Sequence, residues 1–567
     1  MFRQRAPRRR PAVPQKLRRI ALAAALLAAL VVVSQALAGD LKKDWIMIGH
    51  DPADSRNQPK EKDIGPSNVS GLTLKWVAPT TTPNGDVSGT PAVADGAVYF
   101  GDFGGTVWKL DADTGNVIWQ HSVPAYTGHA GDYARTSPSL SGNVLVMGVI
   151  HGSTSPNGQV NMLGINATDG SLIWSKTIEN DSHAAMTGSP VLVGDTVITG
   201  VSANGAGGPA ATFRGSIVAL NAQTGALLWQ THSLPDNGGV PGGYAGATMF
   251  APPAVDEKAG LVYGTFGQPY HEPPAVAACN AADPTGFNES CEQPGSYTDS
   301  IVAFDLTTGA PVWHYRVVGL PPWQRACGSQ PPTVTWCAPA TDNQFRGGDK
   351  WDLGGSGPNV FQIGKGEDKR DVVGVGEKSG VYVVLDARTG DFVWNTLVGP
   401  GGDQGGFEWG TAYDGDRIYV SLTNQHHIPY RLTQNGVTSG PYVTGGSWAA
   451  LDPETGEILW QTADPQSETI AGNVVGVWDL APATSANGVA YVASMAKTGN
   501  EFYALDGASG AILWAYPAGS SVNAGPAVVD GSVYWGSGYR RSGAEGSGNN
   551  KFYAFTLPGK TKKDKDK

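Results

Sequence analysis

The sequence predicts an all-β protein, an eight-bladed β-propeller with tryptophan-docking repeats whose last blade is closed by both termini. Three observations carry this. The 567 residues include 78 Gly, 39 Pro and 17 Trp, and only 16% are charged, a balance that suits turn-rich sheet better than helix or disorder. A motif recurs seven times: KLDADTGNVIW (109–119), GINATDGSLIW (164–174), ALNAQTGALLW (219–229), AFDLTTGAPVW (303–313), VLDARTGDFVW (384–394), ALDPETGEILW (450–460) and ALDGASGAILW (504–514). The ends complement each other. NVSGLTLKWV (68–77) carries a Trp strand without the turn, and KFYAFTLP (551–558) carries the strand before a turn without the Trp.

Each motif reads as a hairpin. An apolar strand ends at Asp or Asn, whose side chain can hold the following turn through local backbone hydrogen bonds. A Gly there can take φ > 0. The next strand ends on the Trp, whose flat face can pack between neighbouring sheets. Two further strand-like runs precede most copies, such as TPAVADGAVYFGDF (90–103) and SPSLSGNVLVMGV (137–149). Four strands per unit is a propeller blade, and a period of this kind marks a repeat architecture. Joining both termini in the eighth blade leaves few exposed sheet edges. The domain is expected to span 39–559.

The N-terminus reads as a targeting segment. Residues 1–19 hold eight basic residues and no acid, followed by IALAAALLAALVVV (20–33) and SQALA, with Ala36 and Ala38 in a cleavage arrangement. The apolar run is shorter than the roughly 20 residues that span a bilayer. Residues 1–38 are therefore expected to be a signal peptide, and the protein to be secreted or extracytoplasmic. Removing eight positive charges takes the formal charge from −11 to −19, which argues against a nucleic-acid partner. KTKKDKDK (560–567) is expected to be a solvated basic tail. The four cysteines are even in number and suit two disulfides in an exported chain. Three pairings are open; Cys279–Cys291 and Cys327–Cys337 are favoured because each would staple one Pro/Gly-rich insertion. There is no C-x-x-C-H, so no attached c-type haem is expected.

One stretch belongs to no repeat: GDKWDLGGSGPNVF (348–361), in which Asp352 follows Trp351. With DWIMIGHDPADSRNQ (44–58), VGVGEKSGVYVVLDARTG (373–390), GGFEWGTAYDGDRIYVSL (405–422) and the repeats themselves, the chain resembles the quinoprotein alcohol dehydrogenases, which bind pyrroloquinoline quinone, and among them the polyvinyl alcohol dehydrogenases. The resemblance implies a general base at Asp352, beside a calcium ion. It implies a cation reaching the quinone oxygens at Lys378 of GEKSGVYVVLD, and a second cofactor contact at Arg135 of ARTSPSL. It implies a hydroxyl contact at Thr187 of MTGSPVLVGD, a rim residue at Trp409 of FEWGTAYDG, an aromatic floor at Phe250 of MFAPPAVD, and a calcium ligand at Gln268 of YGTFGQPY beside Asp352.

The chain departs from the pattern in several places. It has no adjacent cysteines to stack over the quinone, Phe250 stands where Trp is usual, and Gln268 stands where Asn is expected. No carboxylate occupies the calcium-binding Glu position in GVSANGAGGPAATFRG (200–215), and Ser88 occupies the place of a first-blade Glu. Calcium is therefore expected to bind weakly or not at all, since it takes six to eight oxygens. The implied reaction is oxidation of a secondary or polymeric alcohol. Asp352 removes the hydroxyl proton, Lys378 polarises the quinone carbonyl, and electrons leave to an external acceptor. The alternative is a propeller without cofactor that serves as a binding or assembly scaffold. Adjacent His426 and His427 would point to opposite faces of a strand, which disfavours one shared metal, and His50 is expected to organise the N-terminal segment.

Overall fold

The computed structural model describes residues 43–151, 161–181, 183–203, 211–282, 288–317, 353–402, 404–540 and 546–559. Residues 1–38, the 560–567 tail, Cys327, Cys337 and Asp352 lie outside the described residues.

Four antiparallel strands build each of eight sheets. The first blade pairs Ala92–Ala94, Ala97–Gly101, Thr106–Asp111 and Val117–Ser122 in sequence order. The same plan recurs in the second blade (139–176), the third (191–232), the fourth (254–316), the fifth (359–397), the sixth (412–463) and the seventh (484–516). The eighth joins Ala527–Val529, Ser532–Gly536 and Lys551–Thr556 to the N-terminal strand Thr73–Pro79. Both ends of the chain thus complete one blade, as the sequence predicts.

Burial follows from the sequence pattern. First strands such as Ala92–Ala94 and Ala254–Asp256 are wholly buried, whereas last strands such as Val117–Ser122 bury their Trp and expose its neighbours. The first strand of each blade is therefore innermost and the Trp strand outermost.

The repeat motif makes the joints between blades. In the fourth blade Asp305 Oδ1 accepts hydrogen bonds from the amide and hydroxyl of Thr308, both 2.8 Å. Gly309 then takes φ +69, and a Cβ there would lie 2.4 Å from the ring of Trp229 in the preceding blade. Trp229 Nε1 donates to the carbonyl of Leu306 at 3.1 Å. The same joint recurs around the ring. Trp76 donates to Ala112, Trp119 to Ala167, Trp174 to Ala222, Trp313 to Ala387, Trp394 to Pro453 and Trp460 to Gly507. Trp514 closes the circle on Leu72. Burying a ring of this size is worth about 4–6 kcal/mol before ordering entropy is subtracted, so the perimeter carries much of the stability.

Three features interrupt the plan. The fourth blade's insertion carries the helix Pro274–Ala282 and the disulfide Cys279–Cys291, one of the two expected pairs. Two hairpins extend from the sixth blade, Tyr430–Gln434 with Val437–Val443 and Ser467–Ile470 with Asn473–Gly476. Asn57–Gln58 pairs in parallel with Ser485 and Ala486 of the seventh blade, so the N-terminal segment is woven into the ring. Among the described residues no helix is long and apolar enough to cross a membrane.

Candidate functional site

The turn preceding each innermost strand faces the centre of the ring. Arg135 precedes Ser139–Ser141, Thr187 precedes Val191–Val193, Phe250 precedes Ala254–Asp256 and Trp409 precedes Ala412–Tyr413. All four side chains keep partial access to solvent, amid neighbours that are mostly buried. A propeller converges its blades here, so residues far apart in sequence meet.

Arg135, from the second blade, reaches across the centre. Its guanidinium carbon lies 4.9 Å from the ring centroid of Trp409, 5.3 Å from Phe103 and 5.8 Å from Tyr539. These rings come from the sixth, first and eighth blades. A guanidinium over aromatic faces is held by the ring quadrupoles, more strongly as water is excluded. Tyr133 lies beside Phe103 at 5.5 Å. Trp409 meets Phe250 edge-on at 6.1 Å, and the ammonium of Lys378 sits 5.5 Å over the Phe250 ring. Lys378 Nζ is 3.4 Å from Glu408, with both side chains under a tenth exposed. Lys378 is thus a buried cation at the centre, not a charge on a surface hairpin.

The segment after Asp352 ties these residues together. Leu353 is fully buried. The carbonyl of Gly354 accepts from the amides of Phe250 (2.7 Å) and Ala251 (2.9 Å), and that of Gly355 accepts from Trp409 (2.9 Å). A Cβ on Gly355 would lie 2.2 Å from the Phe250 ring, so only glycine lets the chain pass there. The stretch that breaks the repeat is therefore the seat of the aromatic floor.

Arg135, Phe250, Lys378 and Trp409 come together as the motif positions imply. Thr187 hydrogen-bonds to Ser202 Oγ at 2.5 Å, and the Gln268 carbonyl accepts from Ala247 at 2.8 Å; neither contact reaches the cluster. Phe103, Tyr133, Tyr539 and Glu408 were not singled out from sequence. Glu408 adjoins Trp409 in FEWG and was within reach of such reading, whereas the aromatic residues meet only once the ring closes.

The residues fit a flat, anionic quinone. They supply aromatic faces, two cations and an orphaned polar atom: Trp409 Nε1 is buried without a hydrogen-bond partner among the described residues. Buried polar groups are normally satisfied, and a carboxylate or carbonyl oxygen of such a cofactor would satisfy it. The residues do not fit calcium equally well. Among the described residues no group of three or more His, Cys, Asp or Glu is placed to hold a metal, and of the two implied ligands only Gln268 is described.

Comparison with known proteins agrees with the fold. Residues 45–343 match the family model for the glucose/ethanol/alcohol dehydrogenase β-propeller domain, and 444–557 match that of the outer membrane protein assembly factor BamB. The chain is 24% identical to a polyvinylalcohol dehydrogenase from a Pseudomonas species over 91% of its own length and 77% of the relative's. It is 25% identical to that of Sphingopyxis over 87% and 73%. In fold it is similar to the quinohemoprotein alcohol dehydrogenase of Comamonas testosteroni, with TM-score 0.65 and 20% identity over 92% and 81% of the two chains.

Proposed function

The chain belongs to the glucose/ethanol/alcohol dehydrogenase β-propeller family, whose members depend on pyrroloquinoline quinone, and on that premise we propose that it oxidises a secondary or polymeric alcohol with Asp352 as general base. The observation that carries the reading is the central cluster, in which Arg135 and Lys378 flank the aromatic surfaces of Trp409 and Phe250. Arg135 and Lys378 would hold the anionic edge of the cofactor, and Trp409 and Phe250 its flat faces. Pyrroloquinoline quinone supplies the hydride acceptor when bound.

The chain's own residues do the rest. Lys378, under a tenth exposed, would place a positive charge where negative charge develops on an accepting carbonyl. Asp352 takes the alcohol's hydroxyl proton as the carbon-bound hydrogen departs with its electron pair. The preference for a secondary or polymeric alcohol rests on the polyvinylalcohol dehydrogenases the chain is similar to. Electrons then pass to an external acceptor. Export through residues 1–38 belongs to the same reading.

A second reading, a cofactor-free assembly scaffold, is favoured by the missing calcium-binding Glu, by Phe250 in the place of Trp, and by the match of 444–557 to the BamB model. Calorimetric titration of the purified protein with pyrroloquinoline quinone, with and without calcium, separates the two. Binding at micromolar cofactor, with dye reduction on adding secondary alcohols or polyvinyl alcohol, is the expected result. Absence of binding would overturn the enzyme reading.

A further inference from the structure

Arg56 belongs to the N-terminal segment and to no blade, yet it is fully buried. Its Nη2 donates to the carbonyl of Trp409 at 2.7 Å. Its Nε lies 3.7 Å from Asp54 Oδ1, and Asp54 is also fully buried. The approach is close: a Cβ on Gly410 would lie 2.5 Å from Arg56 Nε, and one on Gly357 would lie 2.9 Å from Asp54 Oδ2. Asn359 Nδ2 donates to the backbone carbonyls of both Asp54 and Thr411. The N-terminal segment is therefore locked beneath the floor of the site, between the fifth and sixth blades.

The backbone it grips is strained. Trp409 has φ +66, and the amide of Gly410 donates to the carbonyl of Glu408 at 2.9 Å. Those two features define a γ-turn of the positive-φ kind, which is rare and costly for a residue with a side chain. The turn presents two groups to the site at once. Trp409 faces Arg135 at 4.9 Å, and Glu408 faces Lys378 at 3.4 Å. The support is itself expensive. Arg56 Nε and Nη1 and both carboxylate oxygens of Asp54 have no hydrogen-bond partner among the described residues. A buried charge left so poorly satisfied is hard to explain by stability, because an apolar pair of equal volume would hold the segment at lower cost.

We infer that Arg56 is a positioning residue: its bond to the Trp409 carbonyl holds the strained turn Glu408–Trp409–Gly410, and so sets the Trp409 ring against Arg135 and the Glu408 carboxylate against Lys378. The inference rests on the reading that this cluster binds pyrroloquinoline quinone. Arg56 is fully buried behind the Trp409 backbone, so its role is to act through Trp409.

A double-mutant cycle tests it, read as the dissociation constant for pyrroloquinoline quinone. Arg56→Ala weakens binding about tenfold, the scale of one lost charge-assisted hydrogen bond. The loss shrinks to less than about twofold in a Trp409→Gly background, where the positive φ no longer needs holding. Equal losses in both backgrounds would show a merely structural role and overturn the inference. If Arg56→Ala fails to fold, Arg56→Lys keeps the charge near Asp54 but loses the fork, and replaces it in the cycle.

A second measurement needs no cofactor. Protein labelled with 5-fluorotryptophan has one ¹⁹F resonance that disappears in Trp409→Phe. That resonance shifts or broadens in Arg56→Lys while the others stay in place. An unmoved resonance overturns the inference whether or not the quinone binds. Absence of quinone binding by the wild type, beside a shifted resonance, overturns the role toward the cofactor and the functional reading together, but not the grip on the turn.

Discussion

The rim and the hub of this ring are built by opposite rules. At the rim every tryptophan of the repeat donates its N–H to a carbonyl of the next blade, and every turn carboxylate is capped. Hydrogen bonds from the hydroxyl and amide of Thr308 hold Asp305 below the ordinary carboxylate range. At the hub the contacts do not repeat, several polar atoms lack hydrogen-bond partners among the described residues, and a carboxylate is driven the other way. Burial pushes Asp54 up to about 8, against the opposing charge of Arg56. Repetition at the rim supplies stability, and the hub spends part of it on an irregular, charged, strained surface, as functional sites commonly do.

The contrast is broken most forcefully at the rim. Trp229→Ala removes one joint and should cost about 3–5 kcal/mol in denaturant unfolding, while the folded protein keeps its affinity for pyrroloquinoline quinone. Asp352→Asn should do the reverse. Cofactor binding and unfolding midpoint stay, and alcohol-dependent dye reduction falls by at least about a hundredfold; undiminished turnover would remove Asp352 as base.

The opposed carboxylate shifts give a pH test. A group whose pKa is raised on folding holds its proton more tightly in the native state, so its contribution is full below its unfolded pKa and lost as pH rises through the folded value. For Asp54 that window runs from 3.8 to about 8. Unfolding free energy should therefore fall with pH across it, and Asp54→Asn should flatten the slope by up to about 1.4 kcal/mol per pH unit. The capped Asp111 and Asp305 act oppositely: their contribution is present above the unfolded pKa and lost as pH falls through the lowered folded value. The smallest effect belongs to a single cap. Thr308→Val should raise the Asp305 pKa, seen by carboxylate NMR titration, without touching turnover.

The rim was almost fully legible in the sequence because its logic is local. The Asp or Asn, the Gly and the Trp of each motif lie within eleven residues, and the complementary ends revealed the closure. The hub was legible only where a residue sits at a repeated place in its blade, as Arg135, Phe250 and Trp409 do ahead of their innermost strands, or in a recognisable motif, as Lys378 does. Phe103 and Tyr539 were not found, because they meet Arg135 only through ring closure. Arg56 was quoted within DWIMIGHDPADSRNQ but not singled out, since nothing in its own neighbourhood indicates that it will meet a carbonyl 353 residues away.

The central claim is that the cationic and aromatic hub is a quinone site. Equilibrium binding of pyrroloquinoline quinone to the wild type and to Arg135→Ala and Lys378→Met tests it most directly. The account predicts micromolar binding by the wild type and a loss of about tenfold or more in each variant. Equal binding by all three proteins would contradict it.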